Sequence, residues 1–182
     1  MKNFFSIVLV VLGTTILFGQ NKFNGFYEPY IKLDYDVSRN FSQEFILEER
    51  TIWYADESFK FEVKQIDLAH FSKLNLSDKN AVAVGIQYRF RENFEKDKEN
   101  ELRFTEEYTY TTKPKATEFE HRVRAEQRIT SSETSHRFRY NFAVNRSFNG
   151  TEIKKGNAYM IGDLETLLTV AKTSKPEYEQ RI

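Results

Sequence analysis

Three features of the sequence predict an all-β fold, an antiparallel up-and-down meander closing into a β-barrel. Apolar and polar residues alternate with period two over long stretches, which places successive side chains on opposite faces of a sheet. The stretches between them are polar, with no helical-period segment to make a crossover, so consecutive strands pair as hairpins. Aromatic residues reach 15% (Phe 17, Tyr 10, Trp 1), which suits half-buried sheet surfaces, and Gly 7 with Pro 3 is too little for a fibrous or disordered chain.

At 182 residues the chain holds one domain after an export signal. Lys2 supplies the positive charge of that signal, residues 4–12 and 16–18 its apolar stretch, and Leu17, Phe18 and Gly19 a cleavage site. Residues 1–19 are read as the signal peptide and 20–182 as a single β-barrel domain. Gly13, Thr14 and Thr15 interrupt a run already short for a membrane anchor. Lys+Arg 27 balance Asp+Glu 27 without a one-signed block, so a nucleic-acid partner is not expected. Cys 0 removes disulfides, thiolate zinc sites, cysteine nucleophiles and lipid attachment at cysteine.

About eight strands are visible. In the first, Tyr27, Pro29, Ile31, Leu33, Tyr35 and Val37 alternate with Glu28, Tyr30, Lys32, Asp34 and Asp36. The second, over 41–54, puts Phe45, Leu47 and Trp53 on one face but Glu49 with them and Ile46 and Ile52 opposite. The third, over 59–76, changes phase near Gln65 and again near Ser72, which suggests bulges or a loop that overlaps the start of the strand. In the fourth, Val82, Val84, Ile86, Tyr88 and Phe90 oppose Ala81, Ala83, Gly85, Gln87, Arg89 and Arg91. The fifth sets Leu102, Phe104, Tyr108 and Tyr110 against Arg103, Thr105, Glu107 and Thr109. The sixth, seventh and eighth cover 118–130, 135–148 and 158–170, and a further strand starts at Glu177.

Strands of on the order of 11 to 15 residues exceed the roughly 5 to 6 of soluble sheets and suit tilted membrane strands. The small and polar face of the fourth strand fits a narrow interior, whereas a lipocalin-like barrel would turn its five bulky residues inward. The expectation is an outer-membrane barrel in contact with lipid, with a structural, binding or narrow-pore role. A soluble periplasmic β-barrel binding an apolar ligand is the alternative.

The segment His121, Arg122, Val123, Arg124, Ala125, Glu126, Gln127, Arg128, followed by Arg137, Phe138, Arg139, Tyr140 and later by 159–165, resembles the bacterial outer-membrane proteins grouped as domain of unknown function 2490 (DUF2490). The resemblance implies localisation and fold; it carries no biochemical role. It also implies that the chain either stops short of the family's usual end or closes its barrel early, the former being the expectation, because 177–182 begin a strand and Ile182 stands where such barrels end on an aromatic residue.

Interior-lining candidates are Arg103, Glu107, Arg122, Arg124, Glu126, Arg128, Arg137 and Arg139. Neighbouring strands can pair these charges, so a ladder of ion pairs is the main expectation and an anion-attracting constriction the functional variant. His121 and His136 share faces with Phe119 and Phe138. His70 shares a face with Ser72, too weak a pair for a nucleophile and base, and no spaced metal-ligand set is present. No enzyme activity, cofactor or protein partner is expected from these residues.

Overall fold

The computed structural model describes residues 23–148 and 158–182. The signal peptide assigned to 1–19 and the connection at 149–157 lie outside the described residues. Ten strands form one antiparallel sheet: β1 (Gly25–Tyr27), β2 (Tyr30–Asp36), β3 (Phe41–Ala55), β4 (Ser58–Asn75), β5 (Asn80–Phe90), β6 (Glu101–Thr112), β7 (Thr117–Ile129), β8 (Thr134–Ser147), β9 (Tyr159–Ala171) and β10 (Glu177–Arg181). From β3 to β10 each strand pairs with the next, and β1 and β2 both pair with β3. The meander read from the sequence is therefore the observed topology. No hydrogen bonds join β10 to β1 or β2 among the described residues, so the seam between the two ends is open.

Two details differ from the sequence reading. The first predicted strand is two strands, because Pro29 has no N–H to give the ladder. The register is the same on either side, with Tyr27 opposite Thr51 and Tyr30 opposite Glu48, and Pro29 still accepts a bond from the Glu49 N–H at 3.0 Å. In β4, the phase change near Gln65 is a real bulge: Arg50 pairs with Gln65 but Thr51 with Val63. Near Ser72 the pairing is unbroken from Gln65 to Leu74. There the apparent slip arises because an aromatic residue, Phe71, points to the polar side, where a Cβ at position 85 would collide with its ring.

Gly85 thus leaves room for Phe71 on the inner face. Gly85→Ala is expected to destabilise the fold by about 1–3 kcal/mol through overpacking. The loss should shrink in a Phe71→Leu background, as read from urea unfolding of the refolded chain.

Among the described connections, all but the ten-residue loop at 91–100 are short. In the β3–β4 hairpin both central residues, Asp56 (φ 50°) and Glu57 (φ 61°), are left-handed, the backbone of a type I′ turn that matches strand twist. At the same end of the sheet, the loop after β5 is tied to the β7–β8 turn: Ser132 N and Oγ donate to Glu99 Oε2 at 3.1 and 2.8 Å. Hydrogen bonds from the hydroxyls of Ser131, Thr130 and Ser132 and from the Ser132 N–H hold the Glu99 carboxyl down at about 2, from an ordinary 4.5. A carboxyl lowered on folding stabilises the fold above its unfolded value and loses that contribution as pH falls through the folded one. The clip should accordingly loosen between about pH 4.5 and pH 2, with the Glu99 side-chain carboxyl resonance titrating near the bottom of that window.

Burial is inverted relative to a water-soluble sheet. Among the described residues the buried hydrophobics are Ala55, Ala81 and Leu167, whereas the buried polar and charged side chains include Gln65, Asp67, Glu101, Arg103, Thr105, Glu126 and Asn141. Val84, Val123 and Phe138 are 60%, 52% and 50% exposed. The sheet curls around its polar face, so that side chains from β2 through β8 line one cavity of about 610 Å³. Arg124 of β7 reaches over the Phe71 ring of β4, 5.9 Å from its centroid, three strands away along the sheet. Aromatic clusters sit at both ends of the sheet: Phe23, Trp53, Tyr54 and Phe59 at one, and Tyr110, His121, Tyr140 and Phe142 at the other.

Candidate functional site: the charged inner face

Alternation along β6, β7 and β8 sends Arg103, Glu107, Arg122, Arg124, Glu126, Arg128, Arg137 and Arg139 to the polar side of the sheet, and the structure brings all eight to that face. The register then creates a difficulty. Arg103 lies opposite Arg128, and Arg124 opposite Arg139, and like charges directly across a ladder repel.

Glu126 resolves it. It sits on β7 between Arg124 and Arg128, is 2% exposed, and faces the small Thr105 across the ladder to β6. Its Oε2 accepts from Arg128 Nη2 at 2.7 Å, and its Oε1 lies 3.4 Å from Arg139, 3.9 Å from Arg124 and 4.0 Å from Arg103. One carboxylate thereby serves guanidinium groups from three strands. Arg137, its direct partner across the β7–β8 ladder, instead donates from Nε to Thr169 Oγ1 at 2.9 Å.

Other carboxylates extend the lattice. Glu101 holds Arg103 at 2.5 Å and stands 4.0 Å from Arg128. Glu107 holds Arg124 at 2.6 Å. Asp67, 2% exposed, takes Arg89 through both oxygens at 2.8 and 2.6 Å and Gln87 at 2.9 Å. Glu165 of β9 joins Arg139 at 3.4 Å to Arg181 of β10 at 3.3 Å. A buried charge persists only when paired and hydrogen-bonded, and this lattice meets that demand for most of the inner face.

Sequence reasoning missed Asp67, Glu101 and Glu165 as members of the lattice. The bulge beside Gln65 hides the parity of Asp67. Glu101 sits on a strand whose polar side was visible, and the register that carries it to an arginine was not; the strand of Glu165 was read without an assignment of its faces.

Two of the eight have no carboxylate in ion-pair reach among the described residues: Arg137, held by Thr169, and Arg122, whose contact is a bond of 3.4 Å to Asn141 Oδ1. Asn141 passes the polarity on, donating to Asp163 at 2.6 Å. A smaller pocket of about 140 Å³ lies here, lined by Arg122, Arg124, Arg139, Asn141 and Glu165.

The histidines face the other way. His70 lies in the outer apolar groove with its ring 4.6 Å from Phe45, and His121 Nδ1 is 2.8 Å from the Tyr140 hydroxyl. Glu106 is also on the outer face, exposed, opposite Val84 on β5 and Ala125 on β7. Among the described residues there is no cluster of His, Cys, Asp and Glu arranged to hold a metal ion, and no helix long and apolar enough to cross a membrane, which leaves open crossing by strands.

A family model described as "Protein of unknown function (DUF2490)" matches residues 29–182, from the start of β2 through β10. The chain belongs to the DUF2490 family. The DUF2490 match includes every inner-face charge described above, so the lattice lies wholly within the family region. No curated protein and no solved structure is detectably similar to the chain.

Proposed function

We propose that the chain is an outer-membrane β-barrel, exported by residues 1–19, with its apolar face against lipid and a narrow, charged interior that serves a structural or binding role. The observation that carries this reading is the inverted burial: charged residues such as Glu126 and Arg103 are buried while Val84, Val123 and Phe138 are exposed. In water an apolar surface of that extent is costly, whereas in a bilayer it is the solvent-matched face. The lengths of β3 to β9, 11 to 18 residues, allow a tilted crossing, and the aromatic clusters at the two ends of the sheet suit the two interfaces. Closure along the open seam would satisfy the remaining strand edges, which lipid requires.

The soluble alternative needs the bulky residues of β5 turned inward around an apolar ligand, and the face arrangement does not favour it. Fractionation of the native host tests the choice. The protein should stay with outer membranes after high-salt and carbonate washes and migrate faster in detergent gels before boiling than after. Release into the soluble fraction with no heat-dependent mobility would overturn the reading.

A further inference from the structure

We infer that the pocket between Arg122, Arg124 and Arg139 is a binding site for a small oxyanion, a phosphate or carboxylate group of a solute that enters from the larger cavity. Three guanidinium groups and the Asn141 side chain surround about 140 Å³, room for one such group. The same three arginines line the 610 Å³ cavity, so the two adjoin.

The lattice leaves donors unused at this place. Arg139 Nε is buried without a hydrogen-bond partner, and Arg122 makes only the 3.4 Å bond to Asn141. Glu126 and Glu107 are already engaged by Arg128 and Arg124 at 2.7 and 2.6 Å. Glu165 is the carboxylate that opposes an incoming anion, and it is drawn to Arg139 and Arg181. Planar guanidinium forks match the oxygens of phosphate and carboxylate, and in a site shielded from bulk water such pairs are stronger than at a surface. Arg122, at the edge of the lattice and without a carboxylate of its own, is the residue that gives the pocket its surplus positive charge.

The site belongs to the interior of the proposed barrel and rests on that reading for its route of access, while the pocket itself is tested apart from lipid. The test uses the full chain refolded in a zwitterionic detergent and titrated with inorganic phosphate, following the arginine Nε–H resonances. Arg122 and Arg139 should shift together and saturate, with a Kd on the order of 1 mM. Arg122→Gln should weaken binding at least about tenfold while the thermal unfolding of the chain stays close to that of the parent. Arg137→Gln, outside the pocket, should leave binding unchanged. Absence of saturable shifts, or equal shifts at Arg122, Arg137 and Arg181, overturns the site whether or not the protein proves membrane-bound. Loss of membrane retention with phosphate binding intact overturns the barrel reading alone.

Discussion

Glu126→Ala is expected to destabilise the fold by about 3–5 kcal/mol, the largest single effect on the inner face, because it strands buried arginines without a counter-charge. Glu126 is the carboxylate within 4.0 Å of Arg103, Arg124, Arg128 and Arg139 together. Its removal leaves the like-charged ladder pairs Arg103–Arg128 and Arg124–Arg139 unscreened. Glu126→Gln should fall between parent and alanine variant, since the amide oxygen still accepts from Arg128. Adding Arg103→Gln to Glu126→Gln should recover part of the loss, a coupling that identifies charge as the cause. Urea unfolding of the chain refolded into lipid vesicles reads these three variants and Arg103→Gln alone against the parent.

The second large effect lies on the opposite face. Leu68→Arg and Phe138→Arg, on well-separated strands and at positions 48% and 50% exposed, should each lower stability in vesicles by about 2–4 kcal/mol if they lie near the bilayer midplane. Were the same face in water, an exposed leucine or phenylalanine replaced by arginine would change stability by no more than about 0.5 kcal/mol. Leu68 lies well away from Glu106, whose carboxylate could neutralise a new arginine beside it. Phe138 shares a cross-strand row with Glu106 across the small Ala125, so Leu68→Arg is the more decisive of the two. A pair of unaffected variants would therefore speak against lipid contact.

The fold class, strand order and face assignments were legible in the sequence because a two-residue period is a local signal, strong where the two faces differ as much as in β5, β7 and β8. Pro29 and the bulge beside Gln65 blurred β1, β2 and β4, since a missing N–H and an inserted residue each act on the ladder and leave the average pattern intact. The eight charged candidates were legible for the same reason as the strands. Their connectivity was not: that Glu126 screens four arginines, and that Arg122 and Arg137 lack a carboxylate, depends on register between strands and on the lengths of arginine side chains. Phe71 and Glu106 run against the alternation on β4 and β6. Phe71 has a partner in Gly85, and nothing in the structure explains Glu106 on the apolar face.

The alternation along β5 offers the most direct test of apolar residues outward and charged residues inward. With Cys 0 in the sequence, single cysteines at Val82, Val84, Ile86 and Tyr88, and at Ala81, Ala83 and Gln87, each accept one nitroxide label without background. In lipid vesicles the first set should collide strongly with oxygen dissolved in the bilayer and weakly with a water-soluble nickel chelate, while the second set shows low oxygen collision. Labels at Val84 and Ile86 that are shielded from both reagents, or that meet the nickel chelate as freely as a loop position, would contradict the outward-facing assignment and with it the membrane barrel.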